Sequence, residues 1–444
     1  MEANELNILK SDARAIIEGM RGDLVRLGTD IFDHPELAYQ EHRTAAIVAE
    51  QLRRLGLSVA DGLAVTGVKS RIDMGSPGPQ IAVLCELDGL SLPSHPAADP
   101  GNGAAHACGH NAQVVHLVAV ANVLNELRIS RHLAGKIAFL ACPAEEFTGI
   151  DRGIEMRAKG EVQFLGGKQE LIRLGHFDDI DLAILVHARG SSSTPLAVGW
   201  SYNGMIPKRV RFRGRASHAG AAPEKGVNAL NAATLAIAAV HAQRETFGDD
   251  DHVRVHPVLR GSESGVNVVP DDVRIDAYVR AASIDAMLHA ETTFDRAMRA
   301  GALALGAKAE ILTLPGYLPL TADPTLGRLF RENSVRLVGE NGYTDTPHIA
   351  ASTDMGDLSH ILPVLQANHG GCAGSNHGSD FQIQDPNEAY ILPAIALAWT
   401  VIDLMADGAS VASRVVDSYR PLMTIEQYLK HLDSLDRKEE YPPE

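Results

Sequence analysis

Gln80-Ile81-Ala82-Val83-Leu84-Cys85-Glu86 is an apolar run with no alternation, closed by an acid. Such a run suits a strand buried on both faces of a parallel sheet, where neither side meets water. Lys136 to Cys142 (KIAFLAC) and Asp181 to Val186 (DLAILV) repeat the pattern. Helical patterns at Ala112 to Leu127 and Gln169 to Leu174 lie between the runs, as parallel strands need crossovers. Upstream, Glu5 to Phe32 reads as one long amphipathic helix and His42 to Leu55 as a second. The expected fold class is therefore α/β, a mixed, mostly parallel sheet sandwiched by helices.

The order changes near Met205. Ile206 to Ala216 reads as a strand, Val227 to Arg244 as an Ala-rich helix, and Val253 to Gly261 and Val273 to Ala281 as two strands. Ser283 to Leu305 is helical and Lys308 to Leu314 a last strand. This β-α-β-β-α-β order is the ferredoxin-like signature. It predicts an inserted domain over 204–315, with hinges near Gly199 to Gly204 and Pro315 to Pro319. Residues 1–203 and 316–444, which resume long helices such as Pro386 to Met405, make the other domain.

The 444 residues are 45% hydrophobic and 22% charged, a globular balance. Forty basic against fifty-six acidic residues give a net charge of -16, which repels phosphate backbones and excludes nucleic acid as an expected partner. Apolar segments are broken by charges before the ~18 residues of a membrane span, and Met1 to Glu5 shows no signal-peptide pattern. The four cysteines form no CxxC pair, which fits a reducing cytoplasm. No P-loop, strand-borne G-x-G-x-x-G or G-x-S-x-G elbow is present, so nucleotide cofactors and serine-hydrolase chemistry are unsupported.

Chemistry-bearing residues stand where the buried runs end. Asp88 follows the first, Glu145 and Glu146 the second, His187 the third. In open α/β sheets ligands bind outside the carboxyl ends of the strands. His106-Ala107-Cys108-Gly109-His110-Asn111 opens the helix after the first run, and Cys, His and carboxylate are the donors a borderline-soft divalent ion takes. Adjacent carboxylates allow Glu146 to bind metal while Glu145 takes the proton of a metal-bound water. Near the end of the chain His369 and His377 compete as a further ligand, and sequence chemistry does not choose between them. His116, among valines and leucines, reads as a packing residue. His218, at a strand-to-helix turn, reads equally as an oxyanion donor and as a loop histidine.

The chain resembles the aminoacylase/glutamate-carboxypeptidase clan of metallo-amidohydrolases, nearest the subgroup of hippurate hydrolase, indole-acetyl-amino-acid hydrolases and aminobenzoyl-glutamate hydrolase. The matching stretches are His34-Pro35-Glu36-Leu37 with Glu41 and Thr44, His106-Ala107-Cys108-Gly109-His110, Pro143-Ala144-Glu145-Glu146, Ser217-His218-Ala219 with Pro223, Gly226, Asn228 and Ala229, Asn267-Val268-Val269-Pro270, Ser352-Thr353-Asp354-Met355 and Asn376-His377. The resemblance implies metal ligands Cys108, His110, Glu146, His187 and His377, the base Glu145, and Asp88 orienting a ligand. It implies one or two ions, zinc or manganese with cobalt also tolerated. It makes the inserted domain a lid and dimerisation domain whose His218 reaches a facing active site, with Asn267 and Arg280 binding the substrate's polar end. Asn111 and Gln113 stand where the family has Asp and His, which predicts a weakened second-metal site. The Pro-rich insertion Ser91 to Ala105 and the Gly-rich loop Asn368 to Gly374 also depart from the pattern.

The expected function is hydrolysis of a C–N bond in a small molecule, foremost an N-acyl or N-aroyl amino acid, by metal-bound hydroxide. Hydrolytic deamination of an aromatic amine at the same site is the alternative. A non-catalytic binding protein is the second, disfavoured because base and ligands are intact.

Overall fold

The computed structural model describes residues 3–128, 132–147, 149–261 and 264–443. Residues 1–2, 129–131, 148, 262–263 and 444 lie outside them. The described residues divide into two compact units. One comprises 1–200, 321–348 and 357–422, and the other 201–320, 349–356 and 423–444.

The first unit is built on an eight-stranded sheet. Its middle strands are, in order, Lys136–Cys142, Gln80–Glu86, Leu182–Ala188 and Val364–His369, all parallel to one another. Val59–Leu63 and Gly67–Asp73 add antiparallel strands on one side, and Leu196–Gly199 and Tyr343–Thr346 extend the other. The mixed, mostly parallel sheet is as expected. Every residue of Gln80–Glu86 is buried, so its missing alternation reports two covered faces. Because the middle strands run the same way, Glu86, Cys142, Ala188 and His369 close them on one edge.

The covering helices include His110–Leu127, buried almost throughout, and Leu392–Ser418, in which Ala406 to Ala409 leave helical geometry. The stretch Asn387–Ser418 is apolar enough to cross a membrane by composition, yet 94% of its most apolar window is buried in the fold. It is a core helix. The expected single helix from Glu5 to Phe32 is instead Ala3–Gly19 followed by Arg21–Phe32. The break at Met20 sits between Gly19 and Gly22, whose backbone freedom weakens helix propagation.

In the second unit Gly204–Arg213, Ala229–Ala242, Arg254–Arg260, Asp272–Ala281, Ile284–Leu305 and Lys308–Thr313 follow one another as β-α-β-β-α-β. The sheet is antiparallel, and Asp272–Ala281 alternates buried and half-buried residues because helices cover one face only. Ala232, Ala233 and Ala236 of one helix pack with Ala290, Phe294 and Met298 of the other. The sequence reading assigns 316–444 whole to the other domain. The structure corrects this at the tail, where Arg437–Tyr441 pairs antiparallel with Lys308–Thr313 as a fifth strand. That strand, RKEEY, carries no apolar alternation; Lys308 pairs with Glu440 across the seam at 2.7 Å.

Gly167 starts the helix Gly167–Arg173 against the turn that carries Glu145. A Cβ there would lie 1.7 Å from the Pro143 carbonyl oxygen. Gly167→Ala is therefore expected to cost about 1–3 kcal/mol, the range for overpacking, read as a lower midpoint of urea unfolding.

Candidate metal centre

Gly109 has φ +83°, and a Cβ on it would lie 2.3 Å from Ala188 Cβ. Only glycine lets the start of the helix His110–Leu127 approach the end of Leu182–Ala188 this closely. This brings Cys108 to 3.6 Å from His187, measured Sγ to Nε2. His377 Nε2 stands 3.3 Å from Cys108 Sγ and 3.2 Å from Glu146 Oε1. The loop that carries His377 is fixed by its own N–H donating to Ala107 O and by Asn376, whose Nδ2 donates to Ala188 O while its Oδ1 accepts from Gly190 N.

Among the described residues three donor sets result, Cys108–His110–His187, Cys108–Glu146–His377 and Glu86–His110–Glu145, the atoms of each lying within 4.8 Å of one another. Cys108 belongs to the first two. The five ligands implied by the resemblance are thus brought together, and His377 rather than His369 faces the cluster. His369 is turned away, its ring edge-to-face with His116 at 5.2 Å. His116, expected as packing, is buried with Nε2 2.8 Å from Ala389 O.

The electrostatics suit a cation. Burial and Glu146 oppose ionisation of Cys108, but His187 and His377 prevail and bring it down to about 5, so the thiolate form dominates at neutral pH. Burial likewise opposes Glu146, yet His377 holds it at about 2. His110 Nε2 and Glu146 Oε1 are buried and make no well-aligned hydrogen bond, their near neighbours being Glu86 Oε2 and His377 Nε2, themselves candidate donors to a cation. Buried polar atoms are ordinarily paired, so these orphans, converging with a thiolate, fit a divalent metal.

Asp88 supports the cluster from behind. Its Oδ1 and Oδ2 accept the N–H groups of Glu145 and Glu146 at 3.1 and 3.0 Å. Its carbonyl lies 2.7 Å from His110 Nδ1, which fixes a ring proton there and turns Nε2 towards the cluster. The turn it clamps is bent, with positive φ at Ala144 and Phe147. Buried Glu41 holds that bend, its Oε1 accepting from Ala144 N and Tyr39 N and its Oε2 from Thr66 Oγ1. Glu145 is buried with Oε2 3.8 Å from His110 Nε2.

The other predicted residues belong to the second unit. His218 is exposed, and its Nδ1 accepts the N–H groups of Gly220 and Ala221. Asn267 is joined to that turn, its carbonyl accepting Ala219 N at 2.9 Å. Arg280 ends the strand Asp272–Ala281, its guanidinium 5.1 Å from the Tyr278 ring centre.

Asn111 and Gln113, expected to weaken a second-metal site, are engaged elsewhere. Asn111 Nδ2 donates to Gly28 O and Tyr390 Oη, tying helices together rather than facing the cluster. Gln113 hydrogen-bonds Glu86, and the donor sets stand without either residue. Sequence reasoning gave no role to Glu86 or Lys168, both buried. The available signal was an acid ending an all-apolar run and a lysine beside Gly167 in a buried helix, since buried charges need partners. The insertion Ser91 to Ala105 folds as a short hairpin, with Leu90–Ser91 against Ala104–Ala105 and His95 Nε2 2.8 Å from Phe381 O.

With the centre described, comparison with known proteins decides its lineage. The sequence profile of Peptidase family M20/M25/M40 matches residues 86–406. The chain belongs to this family. It is 29% identical to mouse Xaa-Arg dipeptidase over 430 residues, covering 91% of this chain and 90% of that protein. It is 26% identical to a component chain of the p-aminobenzoyl-glutamate hydrolase of Escherichia coli K12, covering 84% and 92%. A solved Bacillus subtilis structure, described as a dinuclear metal-binding peptidase of the M20 family, superposes with TM-score 0.65 at 20% identity, covering 87% of this chain and 98% of that one. This M20 chain is a hydrolase of amide C–N bonds.

Burial, with the charge of Asp88 added, pushes Glu41 up to about 8 from an ordinary 4.5. The folded protein then binds a proton that the unfolded chain releases between those values, so this contribution is complete below about 4.5 and is lost as pH rises through 8. Urea titrations at pH 5 to 8 are expected to show stability falling with pH in the wild type and a flatter profile in Glu41→Gln.

Proposed function

We propose that this M20 chain hydrolyses the amide joining an acyl or aroyl group to an amino acid, using cations held by Cys108, His110, Glu146, His187 and His377. The observation that carries the reading is the pair of donor sets sharing Cys108, with the Glu145 carboxylate beside them. The names of the mouse and Escherichia coli relatives, both describing cleavage at an amino acid's amide, support the substrate class. Zinc and manganese suit the mixed S, N and O donors, and cobalt is tolerated.

A bound divalent ion supplies Lewis acidity and lowers the pKa of coordinated water towards ~7. Glu145 accepts the proton of the attacking water and returns it to the leaving nitrogen. Asp88 fixes the backbone from which Glu145 and Glu146 diverge, so one carboxylate serves the proton while its neighbour serves the metal. His218 has Nδ1 engaged by two N–H groups, which leaves the proton on Nε2, the donor an oxyanion requires. Asn267 and Arg280 take the polar end of the substrate, and the second unit pairs two copies into a homodimer.

Glu145→Gln is expected to keep fold and metal content yet lose at least ~100-fold in turnover of acyl amino acids. Near-normal turnover in that variant rejects the role of Glu145. Chelation is expected to abolish activity and added zinc or manganese to restore it. The products should be an amine and a carboxylate; ammonia with a phenol would transfer the protein to aromatic deamination.

A further inference from the structure

Glu86 is an acid beside the centre that the reaction above does not use. Its side chain is 0% exposed, and so is that of Lys168, whose Nζ donates to Glu86 Oε1 at 2.6 Å. Gln113 Nε2 donates to Glu86 Oε2 at 2.7 Å, and Gln113 Oε1 accepts the N–H of Glu86 at 3.1 Å. The carboxylate is thus fixed in orientation by one amide and one ammonium. A carboxylate oxygen accepts in two directions. The second direction of Oε2 faces His110 Nε2 at 3.1 Å and His187 Nε2 at 4.0 Å.

That juxtaposition suits a cation lying between the two groups. In the neutral ring, Nδ1 holds the proton against Asp88 O and Nε2 presents a lone pair to the Glu86 oxygen, the form a metal ligand takes. Two lone pairs opposed inside a dry site repel one another. Donors of one ion with bonds of ~2.0–2.3 Å stand about 3.3–3.8 Å apart in a tetrahedral site, close to the spacings among Glu86, His110, His187 and Cys108. Glu86, His110 and Glu145 also fall within 4.8 Å of one another as donors.

We propose that Glu86 is a direct ligand of the cation held by His110 and His187, an oxygen donor aimed by Gln113 and charge-balanced by Lys168. The inference rests on the metal reading above. Lys168 cancels the charge of Glu86, so the site gains a donor without gaining net negative charge next to Cys108 and Glu146.

The test uses the full chain stripped of metal by chelation and titrated with Co(II). Wild type and Glu86→Gln are compared by visible absorption at saturating cobalt. The expected result is a changed band shape and intensity in Glu86→Gln, with cobalt bound at least ~10-fold more weakly. Affinity alone does not decide, because outer partners of ligands also cost 10–100-fold when removed; the coordination spectrum does. A spectrum superimposable on wild type overturns the proposal. Should Glu86→Gln fail to fold with Lys168 left uncompensated, Glu86→Gln/Lys168→Met is read in its place with the same two outcomes. Wild type that takes up no cobalt overturns the metal reading together with this one, whereas bound cobalt with an unchanged variant spectrum overturns only the Glu86 ligand.

Discussion

Asp88 joins three separate segments through one side chain and one carbonyl. Its carboxylate accepts two successive N–H groups, those of Glu145 and Glu146, and its carbonyl takes the ring proton of His110. Neither contact is available until Gln80–Glu86 and Lys136–Cys142 lie side by side in parallel, which places Glu86 opposite Cys142. The sheet therefore makes the clamp, and the clamp sets both the direction of the catalytic carboxylates and the tautomer of a ligand. A hydrogen-bonded carboxylate at this depth is costly to leave unpaired, so the arrangement is well determined once the strands pair.

Charge is concentrated and dry on this edge. Cys108, Glu146 and Glu86 are all shifted towards their ionised forms, and histidines or Lys168 are what shift them. The same low dielectric makes an unbalanced set untenable. Glu41, by contrast, lies behind the Glu145 turn among backbone donors, with a carboxylate rather than a cation as its charged neighbour, and is displaced the other way. One local region thus holds carboxylates pushed in opposite directions by their surroundings, which is how acid, base and ligand roles are separated.

Much of this was legible in the chain. The buried runs at Gln80, Lys136 and Asp181 lack alternation because both faces are covered, and each delivered its terminal polar residue to the shared edge. The ferredoxin-like order was legible because its strands alternate and its Ala-rich helix contrasts with them. What escaped depends on distant partners. His369 and His377 are alike in sequence, and only the turn at His377, with φ 63° and its N–H on Ala107, separates them. Gln113 reads as a lost imidazole until Glu86 is seen against it. The break at Met20 interrupts a periodicity that continues on both sides. The tail strand RKEEY has no strand-like pattern; the cross-strand Lys308–Glu440 ion pair and the packing of Tyr441 on the core accompany its register.

That tail also decides which rims of the five-stranded sheet are bare. By lying along Lys308–Thr313 it shuts one rim of the five-stranded sheet, and among the described residues the sheet ends openly only at Arg254–Arg260. Bare rims template the addition of further strands. A protomer that extends this sheet has a single rim to offer, carrying Arg254 and Arg260 with Val258 and Leu259 part-exposed. Two such rims joined about a two-fold axis consume each other, so growth halts at a pair. Without the last strand the sheet would have a second bare rim, and pairing through rims would no longer be self-limiting.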